Sequence, residues 1–162
     1  MKDKSFVVLI SLLVVVAIIF VLGIVFQDKI FPTAISSVTL SDEVNSDNRV
    51  VGSKTTFEAT AAAIFAEIKV SYGKPDTKVK AEWFLIGDDG KEQNIAPGAT
   101  DQTVSGTRPV LFKIVKPTTA PTWKPGTYRL KIFFNDKQSE VKDFTIKSSV
   151  TPTVTPTLTP TK

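Results

Sequence analysis

Two hydrophobic patterns divide the chain. From Phe6 to Phe26 no charge occurs, and only Ser11 and Gly23 interrupt a run of large apolar residues. As a helix this run would rise ~31 Å at 1.5 Å per residue, close to the ~30 Å of a bilayer's hydrocarbon core. Its β-branched residues (Val14, Val15, Val16, Ile18, Ile19) are poor helix formers in water, but lipid offers the backbone no other hydrogen-bond partner. A cleaved signal peptide has an apolar core of ~7–15 residues and a small-x-small exit. Here the run is longer, and the exit reads Val25-Phe26-Gln27-Asp28-Lys29. The pattern predicts an uncleaved transmembrane signal anchor over 6–26, after a cytoplasmic 1–5 and before a linker at 27–33. Lys2 and Lys4 in front of the run, against Lys29 behind it, place the N-terminus in the cytoplasm and the body outside. The expected location is therefore the cell membrane, in single-pass form with an extracytoplasmic C-terminal domain.

From Ala34 the period becomes two. Ile35 to Leu40 reads as a first strand and Ser41 to Asn48 as a loop. Ile64, Ala66, Ile68, Val70 and Tyr72 alternate with Phe65, Glu67, Lys69 and Ser71, and Gly73-Lys74-Pro75-Asp76 then reads as a turn. Val79, Ala81, Trp83 and Leu85 form the next inward set, closed by Asp88-Asp89-Gly90. Val110, Phe112 and Ile114 share one face, as do Tyr128, Leu130, Ile132 and Phe134. Asn135-Asp136-Lys137 turns the chain toward Phe144 and Ile146. Short strands separated by turn signals predict an all-β sandwich over 34–147. A short helix is the alternative over 55–66, because Thr55-Thr56-Phe57-Glu58 has capping-box spacing and an alanine-rich run comes after it. Residues 148–162, with three copies of Thr-Pro-Thr-x, are expected to be a disordered tail. Its prolines fix φ and remove donors, so polyproline II is expected, and twelve such residues reach ~37 Å.

Charge changes the picture little. The net charge is +4, but Lys69, Lys80, Lys113 and Lys131 alternate with apolar residues and are mixed with Glu58, Glu67 and Glu82. That is the solvated face of strands, so no nucleic-acid partner is expected. The absence of cysteine leaves the fold to burial alone.

Candidate chemistry is sparse. With neither histidine nor cysteine, the usual general base, every Ser-His triad, thiol catalysis and thiolate metal sites are excluded. Ser71 and Lys74 have Ser-x-x-Lys spacing, but a glycine and a proline force a turn where that pair needs a helix. Asp88, Asp89 and Glu92 surround a hairpin turn, where acids serve turn geometry and solubility. Asp42, Glu43, Asn45, Asp47 and Asn48 cluster oxygen donors that Ca²⁺ could take, without the glycine and terminal glutamate of an EF-hand loop. No catalytic residue, cofactor or metal site is assigned. Phe65, Phe84 and Phe133 fall on the polar side of their strands and are candidates for an apolar partner patch.

The runs Ala81-Glu82-Trp83-Phe84-Leu85 and Trp123-Lys124-Pro125-Gly126-Thr127-Tyr128-Arg129-Leu130, with Asp143-Phe144-Thr145-Ile146, resemble immunoglobulin-like domains of microbial membrane-anchored envelope proteins. The resemblance spans Ala34 to Lys147. It implies that Trp83 fills the space between two sheets, that Trp123 and Gly126 lead into a late strand, and that the Tyr128 hydroxyl ties a corner to the backbone. The cysteine pair of antibody domains is missing. The expected function is non-enzymatic binding, adhesion or scaffolding at the cell envelope, through an envelope protein or a glycan, with the membrane engaged through 6–26. The alternatives are an accessory subunit of a membrane enzyme or transporter, and a carbohydrate- or calcium-binding module using Trp123 or the acidic loop.

Overall fold

Alternation in the sequence becomes alternation in burial. Along Ala63 to Val70, every second side chain (Ile64, Ala66, Ile68, Val70) is buried, and the same holds for Val79, Ala81, Trp83 and Leu85. The computed structural model describes residues 2–30, 32–96 and 101–148, with side chains of the leading helix described over 8–23. In chain order the elements are α1 (Lys2–Ile30), β1 (Ala34–Ser41), β2 (Thr56–Glu58), β3 (Ala63–Ile86), β4 (Glu92–Asn94), β5 (Gln102–Val115), β6 (Gly126–Phe134) and β7 (Lys137–Lys147).

The residues expected to turn at 73–76 do not interrupt the strand's pairing. β3 runs on through them, with register shifts between Val70 and Gly73 and between Gly73 and Thr77, and β5 follows it throughout. Tyr72 and Asp76 absorb the bend with φ of 54° and 63°. This is the corner at which the chain passes from one layer to the other. The first arm of β3 pairs with β1 and the later part of β5. The second arm pairs with β4 and β6, and β7 and β2 extend that layer beyond β6. Both layers turn their apolar faces into one core containing Leu40, Phe57, Ile64, Ile68, Trp83, Phe112, Leu130, Ile132, Phe144 and Ile146. Gly73 is required at the corner by a close approach: a Cβ there would stand 2.9 Å from the Gly106 carbonyl oxygen.

The ambiguous stretch 55–66 is not helical: Thr56–Glu58 and the residues from Ala63 are strand, with a turn at 59–60 between them. Thr56–Glu58 pairs in parallel with Thr145–Lys147, and Phe57 enters the core at 2% exposure. Burying that ring against the sheet outweighs the local helix propensity.

The all-β sandwich stands, but the transmembrane part of the expected fold is corrected. Among the described residues, no helix is long and apolar enough to cross a membrane. Val8 through Leu22 expose their large apolar side chains, so this segment contributes nothing to the domain core. The Thr-Pro repeats at 151–162 lie outside the described residues.

Candidate functional site

At the sandwich end farthest from the β3 corner, the connection from β5 to β6 carries prolines at 117, 121 and 125. Each pre-sets φ and removes a donor, so the connection is stiff without belonging to a strand. Contacts with its neighbours fix its course. The Ala120 amide donates to the Pro117 carbonyl at 3.2 Å, and the Lys116 ammonium donates to the Pro121 carbonyl at 2.6 Å. The Trp123 amide donates to Ala59 O at 2.8 Å, and its indole Nε1 donates to Ala61 O at 2.7 Å. The indole is thus fastened to the segment after β2. The Tyr128 hydroxyl donates to the Lys124 carbonyl at 2.7 Å and closes the corner into β6. Burial pushes this phenol's pKa above its ordinary value.

An aromatic chain supports this end from below. Trp123 meets Tyr128 edge-on at 6.2 Å, Tyr128 stacks on Phe144 at 5.4 Å, and Phe144 takes the edges of Trp83 and Phe57 at 6.0 and 5.6 Å. Above it opens a groove of about 430 Å³, walled by Leu85, Ile95, Val115, Pro121, Trp123 and Tyr128, with Gln93 and Lys124 among the few polar lining residues. Val115 is 58% exposed here, on a strand whose neighbouring inward residues are buried. Size and lining are those of a ligand-binding cleft, mostly apolar with a few polar groups. The sequence marked Trp123 and Tyr128 but not the groove. Its floor combines residues from β3, β5 and β6 that only tertiary packing brings together, though the spacing of the three prolines was visible.

A second cleft, about 490 Å³, lies at the opposite end beside the β3 corner. Its lining is mostly polar: Thr33, Lys74, Thr77, Asn135, Lys137 and Gln138.

The candidate phenylalanines do not form one patch. Phe65 lies on the first arm of β3, between Ser41 and Lys113. Phe84 and Phe133 lie on the outer face of the other layer. The Lys131 ammonium stands 4.8 Å from the Phe84 ring centre and the Lys80 ammonium 5.7 Å from that of Phe133. All three rings are half-buried. Beside Phe84 runs an ion-pair network in which Arg129 grips Asp143 at 2.7 and 2.8 Å and reaches Glu92 at 3.1 Å. Lys131 and Arg129 hold the Glu92 carboxyl below its ordinary pKa, and Arg129 does the same for Asp143.

Two of the acidic loop's donors, Asp42 and Asn45, are engaged within its own structure. Asp42 pairs with Lys54, and Asn45 Oδ1 accepts from the Asp47 and Arg49 amides at 3.0 and 2.9 Å. Among the described residues, no group of three or more acidic side chains is placed to hold a metal ion. Ser71 donates its hydroxyl proton to Ser36 at 2.9 Å, and Asp89 pairs with Lys91 at 2.9 Å.

The pairing scheme defines the class: an immunoglobulin-like β-sandwich, with β1, early β3 and late β5 in one layer and β4, late β3, β6 and β7 in the other. No family model matches the chain, and neither does any curated protein. Among solved structures, the chain is similar to an immunoglobulin-like protein from Pseudomonas aeruginosa. The match has 16% identity and a TM-score of 0.48, and covers 71% of this chain and 96% of that one. It is also similar to the sensor domain of the anti-sigma factor RsgI4 of Pseudobacteroides cellulosolvens, with 11% identity, 73% and 95% coverage and a TM-score of 0.41. A Niemann-Pick type C2 protein from the Japanese carpenter ant matches at 12% identity, 72% and 92% coverage and a TM-score of 0.41.

Proposed function

We propose that this protein is a non-enzymatic binding domain of the cell envelope that takes an extended segment of a protein partner into the groove beside Trp123. The observation that carries this reading is the groove's composition: an apolar trough with the exposed Val115 at its edge and Gln93 and Lys124 among its few polar lining residues. Such a lining rewards burial of apolar groups and has no charged constellation for turning over a substrate. Trp123 is 4% exposed and its indole N–H is committed to Ala61, so flat stacking of a sugar on that ring is not part of the proposal.

Adding a charge at the exposed edge tests the reading without disturbing the core. Val115→Glu should leave the unfolding free energy within about 0.5 kcal/mol of the parent, as exposed substitutions do. It should also abolish retention of whatever envelope partner the intact protein captures. Retention of the same partner, at the same level, by Val115→Glu would sink the proposal.

A further inference from the structure

The edges of a β-sandwich carry unpaired backbone groups, and this molecule guards most of its own. β2 and β4 are only three residues long. β1 is bulged between Ile35 and Ser37, and its Leu40 carbonyl accepts from the Lys54 amide at 2.8 Å. β7 carries Lys137, Glu140 and Lys142, charges that resist a further strand. The late arm of β5 is the exception. It pairs with β3 on one side, and among the described residues no strand pairs with its other side.

The ladder fixes which groups face outward. The Lys116 amide donates to the Ala62 carbonyl at 3.1 Å, so the hydrogen-bonded pairs are those of Ile114 with Ile64, Phe112 with Ala66 and Val110 with Ile68. Alternation turns the backbone groups of Leu111, Lys113 and Val115 the other way. The Gln102 side chain occupies one of them, donating to the Leu111 carbonyl at 2.6 Å. The edge then runs into the groove, because the exposed Val115 lines it together with Gln93 of β4 and Ile95. Among the described residues lining the groove there is no acid, and Lys124 is its one charge. Lys113 is exposed and makes no ion pair among the described residues.

We infer that Leu111 to Val115 take a segment of a protein partner as an added strand, one in which acidic residues alternate with apolar ones; the inference rests on reading the groove as the binding site. Strand addition draws affinity from main-chain hydrogen bonds and selectivity from alternate side chains. A residue opposed to Lys113 sets its side chain on the same outer face about 5 Å away, where a carboxylate is favoured. Its two neighbours point to the face of Phe112 and Ile114, where apolar side chains are buried beside the groove. A second copy of this edge is disfavoured, because antiparallel pairing centred on Lys113 sets two lysines face to face.

Amide exchange of the full chain tests this with a capped peptide, Thr-Val-Glu-Val-Glu-Val-Thr. In the free protein the Lys113 and Val115 amides should exchange fast while those of Phe112 and Ile114 are protected. With peptide at ~10 times its Kd, the Leu111, Lys113 and Val115 amides should slow roughly tenfold. N-methylation of the two glutamate amides should abolish binding, since these face β5, whereas N-methylation of the flanking valine amides should be tolerated. Lys113→Glu, an exposed change, should weaken the glutamate peptide about fivefold and strengthen its lysine counterpart by a similar factor.

Slow exchange at Lys113 and Val115 in the free protein would show the edge already covered and overturn the inference; protection that grows with protein concentration would assign it to a second copy and do the same. A peptide that shifts the Val115 and Ile95 methyl signals but tolerates glutamate N-methylation overturns strand addition and leaves the groove as a binding site. Binding of neither peptide at millimolar concentration overturns strand addition too, and the partner assay with Val115→Glu then decides the groove's role separately.

Discussion

Replacing Tyr128 with phenylalanine isolates one hydrogen bond at the point where the groove, the corner and the core meet. The ring is 2% exposed and keeps its edge contact with Trp123 and its stack on Phe144, so packing is conserved. What is lost is the 2.7 Å bond from the hydroxyl to the Lys124 carbonyl. Such a bond contributes about 1 kcal/mol net. Lys124 is exposed, so water can take over its carbonyl and the larger penalty of a stranded buried acceptor does not apply. For a domain of this size, about 1 kcal/mol lowers Tm by roughly 4 °C. Urea unfolding followed by tryptophan fluorescence should show a lower midpoint at unchanged m, because the surface exposed on unfolding is the same. Amide exchange should also speed up across 120–126, the segment that the bond anchors. A variant that matches the parent within about 0.2 kcal/mol, with unchanged exchange in that segment, would refute the claim that the hydroxyl holds the corner. A loss above about 3 kcal/mol would show that the aromatic stack had been disturbed as well.

Three further outcomes are expected. Gly73→Ala puts a methyl 2.9 Å from the Gly106 backbone oxygen, which cannot swing aside, and should cost about 1–3 kcal/mol in chemical denaturation; no loss would show that the corner is pliant. Leu130→Ala removes a fully buried side chain from β6, which lies between β3 and β7, and should cost about 2–5 kcal/mol by the same measurement. Glu92 and Asp143, with ordinary values of 4.5 and 3.8, have lowered pKa values in the folded state. Their stabilisation is therefore complete above about pH 5 and drains as pH falls through the folded values, whereas the absence of histidine keeps the profile flat near neutrality. Urea midpoints between pH 2 and pH 8, measured at low and high salt, should show this acid loss shrinking as salt screens the pairs.

Much of the sandwich was legible because a strand with one face in the core repeats every two residues. Ile64 to Val70, Val79 to Leu85 and Leu130 to Ile132 all bury the side chains that alternation selects, and Asn135-Asp136 turns where its composition says. Residues 55–66 were ambiguous because capping-box spacing and alanine content are local signals, whereas β2 exists through its pairing with β7, distant in the chain. The phenylalanines show the same limit. Strict alternation puts Phe84 and Phe133 outside, but whether an outward ring forms a patch depends on neighbours across the sheet, and Lys131 and Lys80 stand over these two.

The sequence by itself determined the alternating strands, the turns between them, the lack of histidine and cysteine chemistry, and the Thr-Pro repeats, because each depends on residues close together in the chain. Only the tertiary structure decided that 73–76 is a corner between layers instead of a break, that Trp123 is sealed in by Ala59 and Ala61, and that Leu85, Val115 and Tyr128 line one groove. The apolar run at 6–26 predicted a membrane span, whereas among the described residues no helix is long and apolar enough to cross a membrane. The physical reason is range: pattern arises from covalent neighbours, whereas a groove is made by side chains tens of residues apart whose meeting depends on how the whole sheet bends.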